Sequence, residues 1–176
     1  EGYLEWKVPS IDVITSLDLL ELPYTGPSAN LYDPTKAIMK YLAFCESVKT
    51  PAHIVIESYD EIDALPGNLQ FPLFVKPAKA GDSLGVDDAS KANNLEDLKK
   101  KVQAILDEFG SALVEEYIDG REFTVLVCGN ADGRTCTSFK PIEYIFPEGF
   151  AFKTYALKTS ELHPNANISV EDKALS

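Results

Sequence analysis

FPLFVKPAKAGDSLGV (residues 71–86) and ALVEEYIDGREFTVLV (residues 112–127) flank one amphipathic run, and the order of elements follows from these two stretches. In the first, Phe71-Pro72-Leu73-Phe74-Val75-Lys76 predicts a strand, with Pro72 confined to an edge or to the first residues because it cannot donate to a ladder. Lys79-Ala80-Gly81-Asp82-Ser83-Leu84-Gly85 predicts a flexible loop. Asn94 then caps a helix in which Leu95, Leu98, Val102, Ile105 and Phe109 recur at steps of three and four, and Gly110 stops it. Residues 112–118 predict a strand, Asp119-Gly120 a two-residue hairpin turn, and Phe123, Val125 and Val127 an alternating return strand.

Further out, Ser10 caps a short helix over residues 11–20 with apolar Ile11, Val13, Ile14, Leu17 and Leu20. Leu22 to Ser28 carries two prolines and a glycine and predicts a strand end and loop. Asp33-Pro34 predicts a second helix start, cap then proline, with Ile38, Tyr41, Leu42, Cys45 and Val48 on one face and Thr50-Pro51 as the stop. His53 to Glu57 predicts a strand, and residues 58–70 part helix, part turn. Asn130-Ala131-Asp132-Gly133 predicts a turn, and strands continue to about Phe146. The tail from Glu161 shows little pattern and is expected to be a loop leading into a helix. Helices followed by an antiparallel run of strands make an α+β chain rather than a βαβα series.

The 176 residues are 45% hydrophobic and carry a net charge of −12, from 16 Lys plus Arg against 28 Asp plus Glu. A core is therefore available, and a general nucleic-acid surface, which needs clustered cations, is excluded. An acidic chain that binds a polyanion must gather its few cations in one cleft, so individual lysines become informative. No run approaches the roughly 20 apolar residues of a membrane span, so no membrane partner is expected. Cys45, Cys128 and Cys136 are widely spaced and odd in number, which points to a reduced, cytoplasmic compartment. With only His53 and His163, no histidine metal cage is expected, and no metal ligand is assigned to this chain.

Three local features carry chemistry. Lys76 ends an apolar strand just before a glycine-bearing loop, where an ammonium needs an anion to offset its burial. The N–H groups of Gly81, Ser83 and Gly85 can approach phosphate oxygens, because glycine has no Cβ. The plain alternative is a surface strand end and an ordinary turn. The loop is neither a Walker A sequence nor a Rossmann fingerprint. Glu115 and Glu116 are adjacent in a strand and so point to opposite faces. One of them can accept from an exocyclic amine such as that of adenine, while the backbone after it reads the edge of the base. Glu122, beyond the turn, suits a ribose hydroxyl or, taken alone, a solvent-facing strand position.

Taken together, these segments resemble the ATP-grasp superfamily, most of all its D-alanine–D-alanine ligase branch, which shows a similar V-K-P…G-S-x-G loop and L-V-E-E-x-I-x-G-R-E strand pair. LPYTGPSANLYDPTKAIMKYL (residues 22–42) also resembles that branch's P-Y-T-G-S turn and following helix, and the likeness runs from about Leu22 to Lys158. It implies an ATP-grasp fold, two α+β subdomains that grip ATP between them. The implied division is 1–25 as the end of an upstream substrate domain, 26–118 as the central subdomain and 119–176 as the start of the C-terminal subdomain. Residue by residue, it implies that Lys36 and Lys76 contact phosphates and that Gly81 to Gly85, with Ser83, close over them. Glu115 accepts from the adenine amino group, Glu116, Tyr117 and Ile118 read the base, Glu122 holds the ribose, and Lys158 with Ser83 serves the transferred phosphoryl group. Asp82 and Thr159 depart from the pattern, where serine and an aromatic residue are usual.

The resemblance further implies ATP and Mg²⁺ as cofactors and small amino-acid-like substrates, and it leaves a homodimer open. The implied reaction is a two-step ligation: a carboxylate takes the γ-phosphoryl group to give an acylphosphate, and an amine then displaces phosphate. An acidic metal-binding strand and a Glu-x-Asn element are expected in the family, but Glu161, Glu171 and Asp172 are a poor match to them. The chain is therefore expected to be a fragment, inactive alone. The competing readings are a ligase for another amino acid or dipeptide and a non-catalytic nucleotide-binding domain. A protein kinase is excluded, since neither H-R-D nor D-F-G occurs.

Overall fold

The helix over residues 95–109 forms where its periodicity puts it, and in the computed structural model it organises the largest sheet. The structure describes residues 10–32, 34–81, 83–129, 134–146, 151–154 and, for the backbone, 167–169. The chain divides into two units, one of Glu1–Thr50 with Ala78–Gly81, the other of Pro51–Pro77 with Asp82–Ser176.

The first unit holds α1 (Ser10–Leu19) and α2 (Lys36–Cys45). Ser10 is the first helical residue of α1. Leu22 to Ser28 holds bends rather than a strand end, followed by a 3₁₀ turn over Ala29–Leu31. The start of α2 differs from the Asp33-Pro34 expectation. Thr35, extended at φ −60 and ψ 146, is the cap, and its hydroxyl accepts from the Ile38 N–H. Pro34 lies outside the helix, and Asp33 is outside the described residues.

The expected stop at Thr50-Pro51 is also overturned, because α2 ends five residues earlier. Ser47 turns left-handed at φ 59, so the Val48 N–H reaches back to the Ala43 carbonyl at 2.8 Å and the Ser47 N–H to Phe44 at 3.0 Å. α1 ends the same way, with Glu21 at φ 52 and Leu22 N–H bonded to the Leu17 carbonyl at 3.0 Å. Both left-handed positions carry a side chain where glycine would be free of strain. Ser47→Gly is therefore expected to raise the unfolding free energy by about 0.5–1 kcal/mol in a urea titration, the relief of left-handed strain less the entropy glycine adds to the unfolded chain. A lower midpoint would contradict this account of the helix end. The apolar side of α2 stays open, from Ile38 at 52% exposure to Phe44 at 76%.

In the second unit β1 (His53–Ile56), β4 (Ala112–Glu116), β2 (Leu73–Pro77) and β3 (Lys91–Ala92) lie side by side in that order, every pair antiparallel. A 3₁₀ turn over Tyr59–Ala64 fills the part-helical stretch after β1. α3 (Leu95–Phe109) packs on one face. Its Asn94 side chain accepts from Asp97 N–H at 3.0 Å, and Gly110, left-handed at φ 77, returns its N–H to Leu106 at 2.9 Å. The register sets Val75 opposite Val114 and Leu73 opposite Glu116, so Leu73, Val75 and Val114 share a face and bury against Leu98, Val102 and Ile105. Each such side chain removed from water contributes about 1.5–3 kcal/mol.

The expected hairpin at Asp119-Gly120 does not form. β4 lies between β1 and β2, so both its edges are taken and no ladder remains for a return strand. The Asp119 carboxylate accepts the Gly120 N–H instead, and β5 (Glu122–Thr124) joins β8 (Ile142–Tyr144) and β9 (Asn167–Ser169) in a second sheet. Val125 falls outside any strand, while Val127 opens β6 (Val127–Gly129), which pairs with β7 (Cys136–Ser138). β9 lies in the tail that the sequence pattern assigned to a loop, and the predicted turn at 130–133 is outside the described residues.

Candidate functional site

Alternation along β2 and β4 decides which groups face away from α3. Phe74 is opposite Glu115 and Lys76 opposite Leu113, which places Phe74, Lys76, Leu113 and Glu115 together on the outer face. There the Lys76 ammonium forms an ion pair with the Glu115 carboxylate, the two side chains 24% and 8% exposed. The same ammonium is 5.7 Å from the centre of the Phe74 ring. A lysine at the end of an interior strand thus has its anion, and the anion is the one buried glutamate of this sheet row.

The ladder also separates the two glutamates. Glu116 points to the other face, where its carboxylate accepts from the Ala52 N–H at 3.1 Å and its own N–H donates to the Ala52 carbonyl at 3.0 Å. Its side chain closes the start of β1. The Tyr117 N–H donates to the Pro72 carbonyl at 3.1 Å, and Ile118 is exposed.

Aromatic rings border the ion pair. Phe74 stacks on Tyr117 at 6.1 Å between centroids and meets Phe152 edge-on at 5.0 Å. Burial raises the Tyr117 phenol above its ordinary pKa, with the Asp119 and Glu122 carboxylates adding to it. Glu122, on β5 opposite Tyr144, is half-buried. Its neighbour Arg121 grips Glu143 with two hydrogen bonds of 2.7 Å and lies over the Phe123 ring at 4.9 Å. The Arg121 hydrogen bond, reinforced by its charge, holds the Glu143 carboxyl below the usual carboxylate range.

Lys36 belongs to the first unit, as do Ala78 to Gly81. Its ammonium donates to the Ala80 carbonyl at 2.6 Å and its backbone N–H to the Ala78 carbonyl at 3.1 Å. The first turn of α2 is thereby tied to the segment that begins the predicted phosphate loop. The loop positions differ in kind. A Cβ on Gly81 would meet nothing within 4 Å. Ser83 is left-handed at φ 58, and its carbonyl accepts the Val86 N–H at 3.0 Å. Gly85, at φ 70, presses on the core: a Cβ there would lie 2.8 Å from Pro77, 2.9 Å from Phe109 and 3.0 Å from Ile105. Its missing side chain makes room for packing, a requirement the sequence pattern did not reveal.

Asp82, Lys158, Thr159 and the acidic residues Glu161, Glu171 and Asp172 lie outside the described residues. Among the described residues no three His, Cys, Asp or Glu side chains gather as metal ligands, so these residues do not fit a metal centre and none is assigned a metal step. None of the described helices is long and apolar enough to cross a membrane. The three cysteines are exposed free thiols. Glu143, Lys91 and Phe152 went unread in the sequence, where only register and tertiary contact mark them, and Arg121 entered only as a letter of the quoted G-R-E motif, without its partner Glu143.

The outer face therefore offers a cation, a buried acceptor and flat rings. The family described as D-ala D-ala ligase C-terminus matches residues 39–174. The D-alanine–D-alanine ligase of Bordetella petrii is 32% identical over 136 residues, 76% of this chain and 40% of that protein. D-alanyl-alanine synthetase A of Vibrio cholerae matches in structure with a TM-score of 0.64 and 21% identity, over 94% of this chain and 49% of that one. The VanG D-Ala:D-Ser ligase of Enterococcus faecalis matches with a TM-score of 0.66 and 22% identity, over 81% of this chain and 41% of that one. The fold is accordingly α+β of the ATP-grasp type, and the chain spans less than half the length of each of these proteins.

Proposed function

This chain belongs to the D-alanine–D-alanine ligase family, and from that premise we propose that it is the ATP-binding part of an ATP-dependent ligase joining two D-alanine-like amino acids. The observation that carries the reading is the Lys76–Glu115 pair on the sheet face away from α3, bordered by Phe74 and Tyr117. A triphosphate competes with Glu115 for the ammonium, and the Glu115 carboxylate accepts from an exocyclic amine. Lys36 and Lys158 add positive charge, Gly81 and Ser83 offer backbone N–H groups, and Glu122 takes a ribose hydroxyl. The base is read by the Glu116–Ile118 backbone. Since the N–H groups of Glu116 and Tyr117 are already bonded, Ile118 supplies the donor.

The chemistry belongs to the whole ligase. A carboxylate oxygen of the first amino acid bonds to the γ-phosphorus while ADP leaves. The amine of the second bonds to the acyl carbon while phosphate leaves, which gives the amide and frees a proton. These residues act by positioning and by neutralising phosphate charge, Ser83 and Lys158 being the pair the family resemblance assigns to the transferred group, and none becomes covalently modified. Mg²⁺ accompanies the triphosphate, and the cytoplasm supplies both.

Calorimetric titration of the full chain with a non-hydrolysable ATP analogue and its guanine counterpart tests the reading. Binding of the adenine form with clear preference over guanine is expected. No binding, or equal binding, would overturn it. Phosphate release from the intact ligase with D-alanine, D-serine or dipeptides as acceptors then identifies the substrate.

A further inference from the structure

Lys91 stands in the same cross-strand row as the proposed site. It is paired with Phe74, and Phe74 with Glu115, so all three side chains share the outer face of the sheet. The Lys91 ammonium lies over the Tyr117 ring, 4.1 Å from its centre. The backbone beneath it is well held. Ser90 and Ala92 on either side are fully buried, Ser90 closes a capping box with Asp87, and Asp87 is bonded to the buried Lys101 at 2.7 Å. Tyr117 is held too: its N–H is bonded to the Pro72 carbonyl, Phe74 stacks on its ring and Phe152 meets that ring edge-on at 6.2 Å.

We propose that Lys91 is a positioning residue for base recognition: by clamping the Tyr117 ring it sets the direction of the peptide that follows, and so the donor and acceptor of residues 116–118. This rests on the nucleotide reading above. A lysine that served as a phosphate cation would be matched to the charge of the ligand. A lysine that clamps Tyr117 is matched to the base alone.

The full chain is titrated with the ATP analogue, with adenosine and with inorganic tripolyphosphate. Lys91→Met is expected to weaken the analogue and adenosine by the same factor, about fivefold to tenfold, which lies within the roughly twofold to thirtyfold range of one cation–aromatic contact. Tripolyphosphate affinity stays at the wild-type value, and Lys91→Arg restores adenosine binding. Tyr117→Leu produces a similar loss, and combining it with Lys91→Met adds nothing further. Wild-type adenosine affinity in Lys91→Met overturns the proposal, as does an equal loss of tripolyphosphate. Failure of Lys91→Arg to restore binding also overturns it, since a general packing defect would do the same. If the wild-type chain binds neither adenosine nor the analogue, the nucleotide reading falls and this inference falls with it. If the wild type binds and only the Lys91 variants fail to respond, the nucleotide reading stands alone.

Discussion

Lys76→Met is expected to weaken the ATP analogue by about tenfold to a hundredfold and also to lower the stability of the chain. The two losses have separate causes. On the proposed nucleotide reading, the affinity falls because a charge-assisted hydrogen bond to phosphate is gone. The stability falls because Glu115, only 8% exposed at its side chain, loses its lysine partner. Removing one member of a fully buried ion pair costs about 3–5 kcal/mol, and the partial exposure of Lys76 reduces the expectation to about 1–3 kcal/mol. The double variant Lys76→Met/Glu115→Gln separates them, since a neutral amide needs no cation. It should recover most of the stability while nucleotide affinity stays low. Urea unfolding and calorimetry on the two variants check this, and wild-type affinity in both would remove Lys76 from the phosphate site.

Gly85→Ala is expected to cost about 2–4 kcal/mol of unfolding free energy. Left-handed backbone at φ 70 accounts for about 1 kcal/mol, and forcing a methyl to within 2.8 to 3.0 Å of Pro77, Phe109 and Ile105 accounts for the rest. Against a total of about 5–15 kcal/mol this is a large share. Gly81→Ala, four residues earlier in the same loop, should change stability by less than about 0.5 kcal/mol, because its Cβ would enter open space. A similar urea midpoint for the two alanine variants would refute the packing role of Gly85. The contrast matters for reading the loop: loss of nucleotide binding in Gly85→Ala reports a disturbed core, whereas loss in Gly81→Ala reports the loop itself.

The helix α3 was legible from end to end, because its apolar spacing, the Asn94 cap and the Gly110 stop are all local signals. α2 was legible only in its middle. Thr35 and Ser47, which decide its ends, act through hydrogen bonds that a Pro-based rule does not register. The motif likeness around Glu115 to Glu122 found the family, yet local pattern could not say which glutamate faces outward. Phe74 opposite Glu115 settles that, and it is a property of two strands, not of either one.

Where helix and strand material lies, which side of α3 is apolar, and the kinship that points to ATP were all readable from the residue order. Those signals depend on neighbours within a few residues or on whole motifs, and no partner strand is needed to express them. The folded chain was needed to show that β4 is an interior strand, that Asp119-Gly120 therefore turns the chain away to another sheet, and that Gly85 serves packing. It also showed that Lys91 lies beside Tyr117. Pairing depends on which edges remain free once distant strands have met, and that competition leaves no periodic trace in any one segment.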